Sequence, residues 1–564
     1  MKKNFLVLIS LLFSSMAVKS QWTSDTLLNT PVRALSGLSI YTPLVASSND
    51  GTTYFCWFEN VSGNYEMHMQ RLDSAGHSVW SSNGIAVSTF PQSSAVYRYD
   101  MVTDKNGDAV LAFQDIRVGG NLNIVAYKVD KQGNLVWGSS GVQLLDSTAT
   151  DGMAPRIGIT SANEAVIAWN ASSGSAKWVA FHKITASGSL AWNAVHRIKT
   201  TGNKYSRPVV VPASGDEFMI QYVQETGNFP GVTSTMYLDK FYSNGSSALT
   251  ASVKVSNKTI PYFTFPSPIY DGNNGIFISF QTSNPASLSM NDTYVQHVTA
   301  SGQQWSLNGT EAASSTTLHK YPVGKAIFDP STKETWALMK VQNSGQNMDG
   351  IFVQKMDSLG NVLLSIGAKQ VLPIVASMNT PLDWQKTNNG FIVFYKTGSF
   401  GNEILRAVKI DFSGNTVWNN SIVSISAASS GKSNVACSSF QNDQVVLGWL
   451  DDRAVSGVYA QNIDNNGTTG VLATNKKLEQ SNDYIVLLEN PSHELSLEMQ
   501  CIKSEQLLVE LFDISGKKQL FQNWQTIAGS NRTSIPSASL SSGIYFVLIR
   551  NTEGKQITKR WIKN

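Results

Sequence analysis

Seven cationic side chains stand five residues ahead of a recurring glycine: Arg71, Lys128, Lys183, Lys240, His297, Lys355 and Lys409, with Asn462 breaking the series. In a closed ring of repeats they would form a circle of positive charge at one height, which suits attraction of an acidic glycan. The same positions serve equally well as aliphatic stems packed between repeats, with their heads reaching water. Three residues ahead of the glycine stand Asp73, Asp130, Asp357, Asp411 and Asp464. A carboxylate there accepts backbone N–H groups and sets a hairpin; calcium is the other partner such carboxylates take. Two further pairs, Asp115 with Arg117 and Asp451 with Arg453, place a carboxylate within reach of a guanidinium, an arrangement that locks a loop. Tyr41, Tyr97, Tyr205 and Tyr262 fall near the beginnings of repeats, where a ring either stacks on a sugar or packs in a core.

Local patterns of catalysis do not stand out. The histidines His68, His77, His182, His196, His297, His319 and His493 form no metal-ligand spacing with one another or with a cysteine or carboxylate. There is no nucleophile elbow, phosphate-binding loop or dinucleotide fingerprint. The sequence therefore assigns no catalytic residue, no metal ligand and no cofactor, calcium at the turn aspartates being the one candidate ion. A carboxylate pair for glycoside hydrolysis, gathered from separate repeats around an axis, would leave no local trace.

The elements that must position these residues repeat. Gly76, Gly133, Gly188, Gly245, Gly302, Gly360, Gly414 and Gly467 recur at spacings of 53 to 58 residues. Four residues after the glycine stands Trp80, Trp137, Trp192 or Trp418, with Leu249, Leu364 and Val471 elsewhere and Trp305 one residue early. Four residues before it the chain is always apolar: Leu72, Val129, Ile184, Phe241, Val298, Met356, Ile410 and Ile463. Upstream lies a second apolar segment, at 109–113, 164–169, 275–280, 390–395 and 445–450. Each repeat thus reads as about four short strands, too small a sheet to bury both faces alone, so the copies must stack around an axis. The expected fold is all-β, a β-propeller of eight blades, or seven if one repeat is a decoration. A stack of β-sandwiches is the other architecture such a pattern allows. The segment Trp22-Thr23-Ser24-Asp25-Thr26-Leu27 copies Trp80-Ser81-Ser82-Asn83-Gly84-Ile85 one period earlier. That phase predicts an N-terminal strand completing the blade formed near residues 445–464, which favours the ring.

The ends of the chain speak of export. Lys2 and Lys3, the apolar run 5–13 and the small residues up to Ser20 have the order of a secretory signal, with cleavage between Ser20 and Gln21. The run is well short of the ~20 residues that a spanning helix needs, and the mature chain offers no other candidate span. Charged residues make up 15% of the chain and net charge is +3 without a basic or acidic block, which argues against nucleic acid or an anionic bilayer as partner. Cys56, Cys437 and Cys501 are too few for a disulfide framework and are expected as buried thiols.

After the polar stretch 476–483 the repeat glycine does not return. Asn490-Pro491, the turn that runs from Asp513 through Gly516 and Lys517, the strand with Gly543, Tyr545 and Phe546, and the basic end with Lys563 follow in order. With these landmarks residues 484–564 resemble the type A sorting domain of bacterial type IX secretion cargo, known from the Bacteroidota. Leu488-Glu489 replaces the family's Tyr-Pro, which blurs the domain's beginning. The resemblance implies an Ig-like sandwich read by the type IX translocon and sorting machinery, usually cleaved, with the body released or held at the cell surface. The alternating segments 507–512 and 544–549 agree with strands. The expected organisation is a signal peptide at 1–20, a propeller-like body at 21–478 and the sorting domain at 479–564. For the body, the regular repeats and missing motifs favour a binding or adhesion module for glycan or protein. A secreted polysaccharide hydrolase or lyase, and a structural module of a surface assembly, are the alternatives.

Overall fold

The computed structural model describes residues 22–92, 94–118, 120–144, 149–229, 231–284, 290–418, 422–470, 485–488, 492–501, 503–551 and 556–563. The signal segment with its Ser20-Gln21 junction and the Asn490-Pro491 pair lie outside the described residues. Two compact units divide the chain, Met1–Val471 and Leu472–Asn564. Strands make up both, and among the described residues the only helical element is a 3-10 turn at Ser214–Asp216.

Among the described residues the first unit holds eight antiparallel sheets, seven of four strands and one of five. The third, for example, runs Asp151–Ile159, Ala165–Ser173, Ala176–Ile184 and His196–Ile198 in order of pairing. The fourth runs Lys204–Pro212, Phe218–Thr226, Thr233–Phe241 and Val253–Lys254. The eighth is built from both ends of the unit: Lys432–Cys437, Gln444–Asp451 and Gly457–Asp464 are completed by Thr30–Ala34, which pairs with the last of them through Thr30 and Ala460. The first strand of each sheet packs against the first strand of the next, and that of the eighth against that of the first, so the sheets form a closed circuit. The second strands are covered on both sides. They carry apolar runs such as 109–113 in the strand Ala109–Asp115, every residue of which is buried.

The repeat glycines and tryptophans hold neighbouring sheets together. Gly76, Gly133, Gly188, Gly360 and Gly467 all have left-handed φ, between 84° and 93°, at the turn after the third strand. An indole from the preceding repeat lies over each: Trp22 on Gly76, Trp80 on Gly133, Trp137 on Gly188, Trp305 on Gly360 and Trp418 on Gly467. A β-carbon on Gly188 would stand 2.6 Å from the ring of Trp137, so the position needs glycine for space as well as for φ. Each indole N–H also donates to a carbonyl of the turn it covers, as from Trp80 to Lys131 (3.1 Å) and from Trp22 to Ser74 (2.9 Å). Where Leu249 replaces the tryptophan, Gly302 is uncovered. Trp22 therefore bonds the eighth sheet to the first as Trp80 bonds the first to the second.

The second unit places Ile485–Leu488, Leu495–Cys501 and Gly529–Ile535 in one sheet. Lys518–Thr526, Glu505–Asp513, Gly543–Asn551 and Gln556–Lys563 form the other. One core lies between them, formed by Leu497, Met499, Leu507, Val509, Leu511, Trp524, Val547 and Trp561.

Candidate functional site

The charged columns of the repeats are spent on structure. Arg71 meets Asp50 at 2.6 Å, Lys128 meets Asp104 at 2.6 Å, Lys183 meets Glu164 at 2.6 Å and Lys240 meets Glu217 at 2.5 Å. His297 meets Asp271 at 2.8 Å and Lys355 meets Glu334 at 3.0 Å, while Lys409 donates to Asn389 and Asn465. Six of these seven basic side chains are thus paired with a carboxylate of the hairpin joining the first two strands of their own sheet, and Lys409 meets the amide of Asn389 there instead. These heads neither face water nor form a free ring of charge. The turn aspartates are engaged likewise: Asp130 accepts the backbone N–H groups of Gln132 and Asn134, and Asp357 those of Leu359 and Asn361. No group of three or more metal-ligating side chains occurs among the described residues. Asp115 bonds Arg117 at 2.5 Å, and Asp451 bonds Arg453 at 2.6 Å. Cys56 and Cys501 are buried, whereas Cys437 is only partly so and donates to Asp383 (3.0 Å).

Two of the four singled-out tyrosines meet at the opposite ends of the strands. Tyr41 packs edge to face with Tyr65, and Tyr97 is half-buried. Tyr205 and Tyr262 instead line a pocket of about 290 Å³ together with Met153, Asn170, Lys177, Ser206, Arg207, Glu225, Phe263 and Phe265. Its frame is the start of the fourth sheet, where Lys204 pairs with Glu225, together with the hairpin side of the third sheet and the connection 257–268. That connection carries Pro261-Tyr262-Phe263-Thr264-Phe265-Pro266, and proline at both ends restricts it to extended and turn conformations. Tyr262 and Phe263 pack edge to face at 4.9 Å, and Phe229 joins them at 6.2 Å from Tyr262. Phe263 nevertheless remains 74% exposed and Phe229 68%. Exposed aromatic faces grouped in this way are unusual on a soluble surface.

Arg207 fixes the arrangement. It stands at a bulge between Ser206 and Val209, with φ of 57°. The first strands of the first, third and eighth sheets have matching bulges, where Thr42, Ala154 and Asn434 take the left-handed conformation. Of these four, the fourth sheet alone puts a long cationic side chain at the left-handed position, in a conformation that costs a non-glycine residue roughly 1–2 kcal/mol. All five guanidinium N–H donors have acceptors. Nη1 donates to the carbonyls of Tyr262 (2.5 Å) and Thr264 (2.9 Å), Nη2 to Glu225 (3.2 Å) and Ser234 (2.9 Å), and Nε to Ser206 (3.3 Å). Its own backbone N–H donates to Asn170 at 2.6 Å. Burial pulls the Arg207 pKa down and Glu225 opposes that pull. The guanidinium therefore pins the aromatic connection to the first strand. Glu225, the one carboxylate of the lining, also accepts from Ser206 at 2.6 Å and lies 3.7 Å from Lys177.

In the second unit, Asp513 accepts the N–H groups of Ser515 and Lys517 around Gly516, whose φ is 80°. Gly543 opens its strand, Tyr545 turns inward against Trp561 and Phe546 turns outward, 41% exposed. Lys563 is buried, its ammonium donating to the carbonyls of Ser537, Ala538 and Leu540. Residues 490–564 match the secretion system C-terminal sorting domain. The tail is a sorting domain. With it the chain carries the mark of a protein exported to the cell surface or secreted through the type IX machinery. Among the described residues no helix is long and apolar enough to cross a membrane. No curated protein matches the sequence.

Similar solved structures include an ulvan lyase of polysaccharide lyase family PL25, at 9% identity and TM-score 0.41 over 80% of this chain and 96% of that one. The polysaccharide lyase Uly1 is similar at 8% identity and TM-score 0.42, over 76% and 91% of the two chains. A protein of unknown function from Dyadobacter fermentans is similar at 8% identity and TM-score 0.34, over 57% and 96%. Likeness of this degree assigns neither fold nor activity to the chain. Of the pocket's residues, sequence reasoning reached Tyr205 and Tyr262 and missed Arg207, Lys177, Glu225, Phe263 and Phe265. The proline-bracketed aromatic run at 261–266 was the one signal that pointed to Phe263 and Phe265, and no local signal pointed to the other three.

Proposed function

We propose that the first unit is an eight-bladed β-propeller that binds glycan, exported by the type IX route with its signal peptide removed after Ser20 and its Ig-like sorting domain recognised by the translocon. The closed circuit of sheets and the exchange of Thr30–Ala34 into the eighth sheet support the propeller. The single observation that carries the binding function is the pocket walled by Tyr205, Tyr262, Phe263 and Phe265. Aromatic faces beside hydrogen-bonding groups are what a pyranose ring needs: a flat apolar surface for its C–H face and partners for its hydroxyls. The lining favours binding over glycoside hydrolysis, because hydrolysis uses two carboxylates and this pocket has one, Glu225, already held by Arg207 and Ser206.

The test is retention of the full chain on immobilised polysaccharides, compared with Phe263→Ala. The ring of Phe263 is exposed, so the substitution is expected to leave thermal stability within about 0.5 kcal/mol and to weaken retention about tenfold or more. Equal retention of both proteins would move the binding surface elsewhere.

A further inference from the structure

Resting on the glycan reading of the pocket, we infer that its ligand is an anionic sugar, carboxylated or sulfated, whose charged group lies between Lys177 and Arg98 along the aromatic wall. Arg98 precedes the second sheet, and Phe265 precedes the fifth. Even so, the Arg98 guanidinium lies 3.5 Å from the centroid of the Phe265 ring, so the connection 257–268 between the fourth and fifth sheets meets the segment that leads into the second. Phe265 is part of the pocket lining and is itself 44% exposed. Stacking on a ring face leaves the edge of a guanidinium, with its N–H donors, available to an oxyanion.

The charge balance points the same way. Lys177 and Arg207 belong to the lining and Arg98 stands on its aromatic wall, against one carboxylate, Glu225. Arg207 already directs its donors to Glu225, Ser206, Ser234 and two carbonyls. Lys177 is 42% exposed and lies 3.7 Å from the far oxygen of Glu225, a distance that leaves its ammonium donors free to turn towards a ligand. Arg98 has no carboxylate partner among the described residues. Its neighbour Arg156 keeps to Asp100, at 3.7 Å. Burial and the like charge of Arg156 both disfavour the Arg98 cation, and a bound anion would relieve that repulsion. Neutral sugar recognition gives no reason to gather more cations than carboxylates beside exposed rings. Recognition of an acidic residue in a polysaccharide needs both.

The experiment measures binding of the full chain to polygalacturonate, to its methyl ester and to dextran sulfate at fixed ionic strength. Lys177→Gln, Arg98→Gln and Phe263→Ala are compared with the parent. Lys131→Gln, at the opposite end of the strands, controls for net charge. The expected result is binding of polygalacturonate or of dextran sulfate that falls about tenfold in each of the two pocket cation variants and is unchanged in Lys131→Gln. The polymer that binds distinguishes a carboxylate from a sulfate site. Phe263→Ala is expected to weaken binding of the same polymer. Binding of the ester equal to that of the acid, with the cation variants unaffected, would overturn the anionic assignment while leaving a glycan site. A loss of polyanion binding in Lys131→Gln equal to that in Lys177→Gln would also overturn it, by showing diffuse attraction. Binding of none of the three polymers would overturn it together with the reading it rests on.

Discussion

Arg207 adopts a strained backbone conformation, is buried and uses every donor it has, and together these hold the aromatic connection in place. Arg207→Met would leave Glu225 buried without its main partner. A loss of about 3–5 kcal/mol is expected, read by urea unfolding, with glycan retention abolished. Asp451 is a second residue on which structure depends. Burial disfavours its ionisation, but hydrogen bonds from Arg453, Ser430 and Trp449 outweigh that and hold its carboxyl at about 2. A folded-state pKa below the unfolded value lends stability that is complete above about pH 4 and lost as pH falls towards the folded value. Thermal unfolding between pH 5 and 2 is expected to show that loss, and Asp451→Asn to show a smaller one from a lower starting stability. The Asp451–Arg453 pair was legible, but the Arg207 cluster was not. The sequence offered Asp451 and Arg453 as a pair two residues apart, but Lys177, Glu225 and Arg207 meet only because three strands and one connection converge.

At the scale of elements, much more was legible. The glycine column marked a turn, and the structure shows why it is strict: the residue needs left-handed φ and must admit an indole from the preceding repeat. The two requirements separate experimentally. Gly63 has φ of 89° and open space around its missing β-carbon, whereas Gly188 has φ of 93° with Trp137 in the way. Gly63→Ala is expected to cost about 1–2 kcal/mol for backbone strain alone, and Gly188→Ala about 1–3 kcal/mol more for displaced packing. Equal costs in urea unfolding would show that the tryptophan does not bear on the turn. The cation column was legible as a column but not in its role. Its partners lie on the hairpin between the first two strands, about twenty residues upstream in the chain, as Asp50 does from Arg71, and no spacing rule ties a third strand to that hairpin.

At the scale of the whole molecule, the C-terminal end of the chain was the most legible part, because a sorting signal is read by other proteins and so keeps a local form. Deleting residues 485–564 is expected to leave the first unit folded, since its sheets form cores of their own, and to strand it in the periplasm; cell fractionation checks this, and the truncated protein in the medium would contradict it. What the body does was not legible, since the pocket proposed to bind its ligand is assembled at the ends of the third and fourth sheets from residues between Met153 and Phe265. The most direct measurement is incubation of the full chain with a broad panel of soluble polysaccharides, scoring both complex formation and new reducing ends. Binding to at least one polymer without new reducing ends is the predicted result. New reducing ends would contradict the account and make the chain a polysaccharide-degrading enzyme, and absence of any complex would contradict glycan recognition itself.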